Sequence, residues 1–338
     1  MLIFLWGLAD EAPLAAVALA LRDAGAEFVL LDQRKVLGTR VTMTVDKQVS
    51  GSISLGESRI DLEDIAAAYI RPYESRMLSA VRNTKSAAVV QFRAAAVDEM
   101  LLNWADITPA LVLNRPRHMA VNSSKPYQSQ LIRRCGFLVP ETLISTTPAA
   151  AREFQERHRD VIYKSVSGVR SRVARLAAAH SERLRDIMSC PTQFQEFIPG
   201  CDFRAHVIGA EVFASELLCD ADDYRYPGDH MLEIRECRLP HSIEERCIAL
   251  AQSMELPVAG IDLRRTPEDE WYCFEVNPSP AFTFYQEFTG QPIAAAIAKL
   301  LIAGSASPAS SQYFEPFDST LPTGDQSPLL VPASFWME

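Results

Sequence analysis

The stretch that decides the fold is "WYCFEVNPSPAF", residues 271–282, in which bulky apolar residues alternate with polar ones until the chain meets a proline. Side chains of a strand point alternately to opposite faces. The pattern therefore predicts Glu275 and Asn277 together on one face. The opposite face takes the large side chains of Tyr272, Phe274 and Val276. We expect this apolar face to pack into a core and the other face to offer oxygen ligands.

The strand before it, "VAGIDLRR", supplies a third oxygen donor. The connecting "TPEDE" is rich in turn residues, so the two strands are predicted to form a hairpin. If Thr266 pairs with Trp271 across a four-residue loop, Asp262 falls opposite Glu275. Cross-strand neighbours have Cβ atoms about 5 Å apart, and Asn277 shares their face. A slip of one residue in this register would send Asp262 to the other face of the sheet.

Three converging oxygen donors are typical of a site for a hard divalent cation. Carboxylate and amide oxygens are the ligands that Mg²⁺ prefers, usually together with substrate phosphates and water. We therefore predict a site for Mg²⁺, open also to Mn²⁺, formed by Asp262, Glu275 and Asn277. The alternative is that these three side chains are surface groups at the end of a strand.

Composition and net charge disfavour two classes of partner. The chain has 338 residues, of which 48% are hydrophobic, and this length suggests two or three lobes. The net charge of −10 disfavours nucleic acid and an anionic membrane as the main partner. Residues 115–185, however, carry 14 Lys and Arg against 5 Asp and Glu, a net +9, so the remainder carries −19. This middle third would attract a small polyanionic ligand.

Targeting and redox signals favour a cytoplasmic protein. The longest apolar stretches fall short of the roughly 20 residues that cross a bilayer. Residues 1–6 are apolar without a basic leading region, which argues against a secretory signal. The seven cysteines show no CxxC spacing, which suits a reducing compartment better than a disulfide framework.

The organisation along the chain is that of an α/β protein. It opens with the strand "LIFLWG", the helix "DEAPLAAVALALRDAG" and the strand "EFVLLD", a βαβ unit. Only Gly7 lies in the first turn and no GxGxxG follows, which disfavours a dinucleotide site. A hairpin is predicted at 41–55 and helices at 84–105 and 181–189. A further helix is expected after a cap at Ser123 or Ser124.

Several cationic and polar residues stand at positions that suit a phosphate ligand. Lys164 lies on the strand "VIYKSV" shortly before Gly168, and Lys125 begins a helix. A lysine can act as a point charge on phosphate. The strand "CDFRAHVI" places three polar side chains on one face: Asp202, Arg204 and His206. Each residue alone also has an ordinary structural interpretation, and His206 in particular reads as a packed histidine.

Taken in order, these motifs resemble the ATP-grasp superfamily, in the branch of the RimK-type carboxylate–amine ligases. The resemblance rests on "NRP", Lys125, "GFLVPETLIS", Lys164 with a glycine loop, "FQEFIPGCDFRAHVIG", "GIDL" and "FEVNPSP", and covers residues 115–303. The stretch "FEVNPSPAFTFYQEFTGQPIAAAIAKLL" is further similar to enzymes that install side-chain links in ribosomal peptides. The loop "SVSGVRSR" departs from the pattern, because it has one glycine where many relatives have two or three.

The resemblance implies an α/β (α+β) ATP-grasp fold with an N-terminal pre-ATP-grasp βαβ domain and the nucleotide between two α+β lobes. The implied division is an N-terminal domain at 1–115, lobe A at 116–195, lobe B with the metal site at 196–304, and a tail at 305–338. The tail ends in "LLVPASFWME", which leaves both disorder and docking open.

The resemblance also assigns roles in holding ATP. Lys125 and Lys164 would contact the phosphates, and Asp202 the ribose or another part of the nucleotide. The adenine hinge would be formed by the three consecutive residues Glu196, Phe197 and Ile198.

The remaining implied roles concern the reaction. Arg204 would contact the acyl phosphate, and Mg²⁺ would be held by Asp262, Glu275 and Asn277. Arg170 and Arg172 are candidates for the carboxylate of the acceptor, against the alternative that they are plain surface residues.

The implied reaction is the ATP-dependent joining of a carboxylate to an amine through an acyl phosphate, which releases ADP and phosphate. The first alternative is a kinase that uses the same fold on a small molecule. The second is a nucleotide-binding regulatory module without turnover. The choice between a peptide and a small-molecule substrate stays open. A homodimer would suit the short strands of the first lobe.

Overall fold

The computed structural model describes residues 2–84, 87–158, 160–166, 173–219 and 232–306. The loop candidates Gly168, Arg170 and Arg172 lie outside the described residues, as does the predicted tail from residue 307 onward.

The strands of the described residues are numbered in chain order. They are β1 (Leu2–Gly7), β2 (Phe28–Asp32), β3 (Thr39–Val45), β4 (Val49–Leu55), β5 (Ser58–Asp61), β6 (Ile65–Arg71), β7 (Leu111–Leu113), β8 (Thr142–Ser145), β9 (Val161–Ser165), β10 (Ala174–Arg175), β11 (Thr192–Glu196), β12 (Cys201–Ile208), β13 (Glu211–Leu218), β14 (Glu233–Cys237), β15 (Val258–Arg265) and β16 (Trp271–Asn277). The α-helices are α1 (Ala12–Asp23), α2 (Ser79–Arg82), α3 (Ala87–Ile107), α4 (Pro116–Met119), α5 (Lys125–Arg134), α6 (Pro148–Arg157), α7 (His241–Ser253), α8 (Thr283–Thr289) and α9 (Ile293–Ala306).

A parallel sheet in the order β2-β1-β6-β7 begins the fold, as the predicted βαβ unit requires. Both faces of β1 are covered. Ile3 and Leu5 pack with α1 and α9, whereas Phe4 and Trp6 pack with α3 on the other side. A strand that is buried on both faces needs apolar residues throughout, which explains the unbroken run "LIFLWG".

Several predicted elements differ in detail from the observed ones. The hairpin predicted at 41–55 is β3 and β4, and a third antiparallel strand, β5, joins it. The helix predicted at 181–189 is a 3₁₀ segment at Ala178–Met188. Ser124 does occupy the position before α5, but its side chain makes no capping hydrogen bond. Proline in the first turn fixes the helical backbone there instead.

The middle sheet is antiparallel, in the order β10-β9-β11-β8. One face is covered by α6 and by the 3₁₀ segment, through a small core that contains Phe154, Leu184 and Phe194. Because alternate residues point to opposite faces, the other face of β9 and β11 carries Lys164 and Gln195. This second face looks into a cleft that the next sheet closes.

The third large sheet is antiparallel, in the order β14-β13-β12-β15-β16. Helices α5 and α7 cover one of its faces, and the core between them includes Phe203, Ala205 and Val207 from β12. The alternate side chains of the same strand are therefore directed to the opposite face. They are Asp202, Arg204 and His206, as the sequence predicted.

The register of β15 and β16 confirms the central pairing but corrects the turn. Asp262 lies opposite Glu275 as predicted. The assumed pairing of Thr266 with Trp271 is wrong, because Trp271 pairs with Arg265 across a five-residue loop. The register shifts by one residue beside Asp262, and this β-bulge restores the predicted pairing farther from the turn.

The same bulge overturns the predicted alternation of faces along β16. Leu263 pairs with Cys273, so Phe274 is the extra residue of the bulge. Cys273 and Val276 lie in the core, whereas Phe274 lines the cleft beside Glu275. Tyr272 also lies outside this core. The bulge thus keeps Asp262 opposite Glu275, but it interrupts the regular apolar face that was predicted for β16.

Helix α9 connects the C-terminal part of the chain to the first sheet. Its buried residues Ile293, Ile297 and Leu301 pack with Leu14 of α1 and Tyr69 of β6. The predicted boundary at residue 115 therefore lies between the first sheet and the later ones, but residues from both sides of it share one hydrophobic core. The division of the chain into lobes stays a prediction.

Among the described residues, no helix combines the length and the apolar character that crossing a membrane requires.

Cys247 and Cys273 are buried thiols. Burial raises the pKa of the Cys247 thiol to about 12, so it stays protonated near neutral pH.

The outer edge of β16 is completed by groups from outside the sheet. Cys273 donates its N–H to the carbonyl of Leu138, and Leu138 donates to the carbonyl of Trp271. Farther along, the buried amide of Gln128 on α5 donates to the Val276 carbonyl at 2.8 Å and accepts from its N–H at 3.0 Å. A single side chain therefore satisfies both backbone groups of Val276.

Replacing Gln128 by Leu is expected to leave both backbone groups of Val276 buried and unpaired. Each such group costs about 1–3 kcal/mol, so we expect a loss of about 2–6 kcal/mol in the free energy of unfolding. Urea denaturation measures this loss. The matched control is Gln130→Leu, because Gln130 is exposed on the same helix. Equal stability of the two variants would contradict the bridging role.

Candidate active site

The cleft between the middle sheet and the third sheet brings together most of the predicted residues. Their side chains or backbones come from β9, β11, β12, β15 and β16 and from the connection after β11. The predicted residues that line it are Lys164, Glu196, Phe197, Ile198, Asp202, Asp262 and Glu275. Apolar residues between them, including Ile162 and Phe274, give the cleft a partly apolar wall.

Each of the two central carboxylates is paired with a cation. Asp262 accepts a hydrogen bond from Nη1 of Arg204 at 2.6 Å, and the Arg204 side chain is almost fully buried. Glu275 accepts from Nζ of Lys125, which also donates to Asn122 Oδ1 at 2.7 Å. The start of α5 therefore delivers the predicted phosphate ligand Lys125 directly to the predicted metal ligand Glu275.

Asn277 ends β16 opposite Gly260. Its Oδ1 accepts a hydrogen bond from the N–H of Ser279 at 2.9 Å, which fixes the orientation of the amide. The chemistry of the donor set fits Mg²⁺, since two carboxylates and one amide oxygen follow each other at neighbouring strand positions. Within the described ranges, no group of three or more His, Cys, Asp or Glu forms a metal cluster. A divalent ion here would need further oxygen ligands from a phosphate or water.

A residue that the sequence did not single out, Arg264, joins the two sides of the cleft. It donates to both carboxylate oxygens of Asp202 at 2.7 Å and to the carbonyl of Ile198 at 2.7 Å. Its guanidinium lies 5.6 and 5.4 Å from the ring centroids of Phe197 and Phe274. Arg264 follows Asp262 by two positions on the same strand, and this spacing is the signal that could have revealed it.

The predicted adenine hinge has only part of its backbone available. The N–H of Glu196 donates to the carbonyl of Glu141 at 3.0 Å, and that of Phe197 donates to Asp160 at 2.9 Å. The carboxylate of Glu196 accepts from the N–H of Glu141 at 2.8 Å. These bonds leave the N–H of Ile198 as the hinge donor that no hydrogen bond within the described ranges uses.

His206 lies beyond Arg204 on the same face of β12 and is completely buried. Its ring is 4.9 Å from that of Tyr285, and neither ring nitrogen has a hydrogen-bond partner among the described residues. Burial, and secondarily the charge of Arg204, holds the pKa of His206 well below its usual value. The interpretation of His206 as a packed, neutral histidine therefore agrees with its surroundings.

The sequence model of the RimK-like ATP-grasp domain family matches residues 122–301 of the chain. No curated protein matches the chain in sequence.

Solved structures of peptide-modifying enzymes share the fold over nearly the whole chain. The macrocyclase MdnC bound with precursor peptide MdnA, from Microcystis aeruginosa MRC, is 22% identical, with 90% of this chain and 100% of that chain covered and a TM-score of 0.76. A RiPP-associated ATP-grasp ligase of Chryseobacterium gregarium, in complex with ADP and a leader and core peptide, is 22% identical, covering 93% and 99%, with a TM-score of 0.78. The ATP-grasp ligase PsnB, complexed with a phosphomimetic variant of its minimal precursor, Mg and ADP, is 25% identical, covering 90% and 98%, with a TM-score of 0.76.

The buried, neutral His206 predicts a specific pH dependence of stability. In the unfolded chain the pKa of histidine is about 6.5, so below this pH the unfolded state binds a proton that the folded state excludes. The His206 contribution is therefore constant above pH 6.5 and falls by up to about 1.4 kcal/mol per pH unit below it.

Urea denaturation of the wild type and of His206→Phe between pH 5 and pH 8 measures this contribution. We expect the stability difference between the two proteins to shift in favour of the variant as the pH falls below about 6.5. The matched control is His241→Gln, because His241 is exposed. A difference that is independent of pH would show that His206 is not neutral in the folded state.

Proposed function

The chain belongs to the RimK-like ATP-grasp family, and on this premise we propose that its cleft binds ATP with Mg²⁺ to activate a carboxylate of a peptide. Membership of this family makes the protein an ATP-dependent ligase that forms an amide bond between a carboxylate and an amine. The observation that carries the proposal is the joint placement of Asp262, Glu275 and Lys164 in one cleft.

The first step that we propose is transfer of a phosphoryl group. An oxygen of the substrate carboxylate attacks the γ-phosphorus of ATP, the bond to the bridging oxygen breaks, and ADP leaves with an acyl phosphate remaining. Lys125 and Lys164 hold the phosphates in line for this attack. Asp262, Glu275 and Asn277 would hold Mg²⁺, which neutralises charge on the transferred phosphoryl when bound.

The second step is formation of the amide. The amine nitrogen attacks the acyl carbon and gives a tetrahedral intermediate with a negative oxygen. That intermediate collapses with release of phosphate, and the nitrogen loses its proton. We propose that Arg204 stabilises this oxyanion, and the position of its guanidinium next to the Asp262 carboxylate supports this role.

The nucleotide itself is proposed to lie across both sheets. The N–H of Ile198 would donate to the adenine, and Asp202, whose carboxylate is fixed by Arg264, would accept from the ribose. The proposed hinge thus uses one backbone donor instead of three. Glu196 and Phe197 would contribute through their position beside the base.

The substrate class that we propose is a precursor peptide. MdnC was solved with precursor peptide MdnA, and PsnB with a variant of its minimal precursor, Mg and ADP. The similarity of this chain to both extends over nine tenths of its length.

Arg170 and Arg172 stay candidates for contact with the acceptor carboxylate. A cytoplasmic location, a homodimer and the absence of nucleic acid among its partners also belong to the proposal.

Removal of one central carboxylate is expected to abolish turnover. Loss of a charged ligand weakens metal binding at least about 100-fold, so Glu275→Gln and Asp262→Asn should lose nearly all ADP release. Coupled detection of ADP, with a candidate peptide and ATP, measures this. The control is Asp269→Asn in the exposed turn of the same hairpin, at a positive φ that asparagine tolerates. Full ADP release by Glu275→Gln would remove the carboxylate pair from the mechanism.

Arg204 gives a test that separates the two proposed steps. Because it acts on the oxyanion of the second step, Arg204→Ala should lower link formation about 100-fold or more while ADP release falls much less. Mass spectrometry of the peptide reports the product. Loss of one water per link indicates ligation, whereas gain of a phosphate would indicate a kinase. Equal loss of both activities would contradict the assignment to the second step.

A further inference from the structure

The segment Pro278–Pro280, which follows Asn277 directly, is held by side chains of the first lobe. Asn114, at the end of β7, donates its Nδ2 to the carbonyl of Pro278 at 2.5 Å. Arg71, at the end of β6, donates its Nη1 to the carbonyl of Pro280 at 3.2 Å. Two neighbouring parallel strands therefore direct one donor each to the segment that ends the predicted metal-binding strand.

Asn114 also fixes where the hairpin begins. Its Nδ2 donates to the carbonyl of Val258 at 2.6 Å, and its Oδ1 accepts from the N–H of Val258 at 3.2 Å. Val258 is the first residue of β15, and Asn114 is almost completely buried. One amide thus ties the start of β15 to the segment after β16, so that the two strand ends are held together.

Arg71 is itself held rigidly. Its Nε donates to both carboxylate oxygens of Glu11 at 2.8 and 2.7 Å, and its Nη2 lies 2.6 Å from Glu11 Oε1. Its Nη1 also lies 3.5 Å from the hydroxyl of Tyr69. The planar guanidinium fits two acceptors at once, and in this arrangement its orientation toward Pro280 is fixed by Glu11.

The segment that Arg71 holds touches two groups of the proposed reaction. The N–H of Ser279 orients the Oδ1 of Asn277 at 2.9 Å. On the other side, a Cβ built on Gly260 would lie 2.8 Å from Pro280 Cβ and 2.1 Å from Nη2 of Arg204. Pro280 and Arg204 therefore meet over the space that glycine leaves open. A shift of the segment would displace both groups.

We propose that Arg71 is a positioning residue of the first lobe. Its hydrogen bond to the Pro280 carbonyl fixes the segment that orients the Asn277 side chain toward the metal ion. The inference rests on the proposed function, since it assigns Asn277 to the metal. It predicts that loss of Arg71 weakens the metal-dependent part of nucleotide binding and leaves the metal-independent part unchanged. A residue that acts only on overall stability would affect both parts alike.

Calorimetric titration of ADP into Arg71→Gln, once with MgCl₂ and once with EDTA, tests the proposal without requiring turnover. We expect the gain in ADP affinity that MgCl₂ gives to the wild type to fall about tenfold in the variant. The affinity in EDTA should stay within about twofold of the wild type, because the bonds of Arg71 go to Glu11, Tyr69 and Pro280 and those of Asp202 to Arg264, with no shared partner. The matched control is Arg59→Gln, since Arg59 is an exposed arginine that is paired with Asp61.

A second variant keeps the test decisive if Arg71→Gln does not fold. Arg71→Lys keeps the positive charge beside Glu11, but its single ammonium cannot reproduce the planar, two-sided geometry, so the same loss is expected. A folded variant of either kind with the full gain from MgCl₂ would overturn the role of Arg71. A wild type that gains nothing from MgCl₂ would instead refute the proposed metal site itself.

Discussion

Two carboxylates on neighbouring strands, Asp262 and Glu275, lie opposite each other on one face of a sheet, and their charges must be balanced. Two like charges about 5 Å apart repel by roughly 3 kcal/mol at an effective dielectric constant of 20. Arg204 and Lys125 supply the compensating charges, one from the adjacent strand and one from the start of a helix. The same concentration of negative charge that requires these two partners also favours the binding of a divalent cation.

The rest of the molecule can be understood as support for this face. The opposite side of the sheet is filled with apolar side chains under α5 and α7, so the polar residues of β12, β15 and β16 can only turn toward the cleft. The first sheet contributes in a different way, since Arg71 at the end of β6 and Asn114 after β7 hold the backbone that follows Asn277. Packing therefore fixes which side chains face the cleft, and in our proposal the hydrogen bonds from Arg71 and Asn114 fix how Asn277 is oriented.

Local pattern was sufficient to predict the elements that carry the site. Alternation along β12 placed Asp202 and Arg204 correctly, and the turn residues located the hairpin. The pairing of Asp262 with Glu275 was predicted from a turn that is one residue too short, and the β-bulge at Phe274 compensates for the difference. A bulge has no reliable signal in a single sequence, because it depends on how the two strands pack against the core.

What the sequence could not give are the contacts between distant parts of the chain. Lys125 meets Glu275 across 150 positions, and Arg71 meets Pro280 across 209. Arg264 looks like an ordinary strand arginine until Asp202 is brought beside it. The packing of the sheets against each other determines which residues become partners. Periodicity within one segment carries no information about that packing.

The central claim is that Asp262, Glu275 and Asn277 together hold the divalent ion that accompanies the nucleotide. A crystal grown with Mn²⁺ and a non-hydrolysable ATP analogue tests it most directly, because manganese gives an anomalous signal. The account predicts one or more anomalous peaks within about 2.5 Å of oxygens from these three side chains and of the analogue's phosphates. An analogue bound in the cleft with its metal peaks on other residues would contradict it.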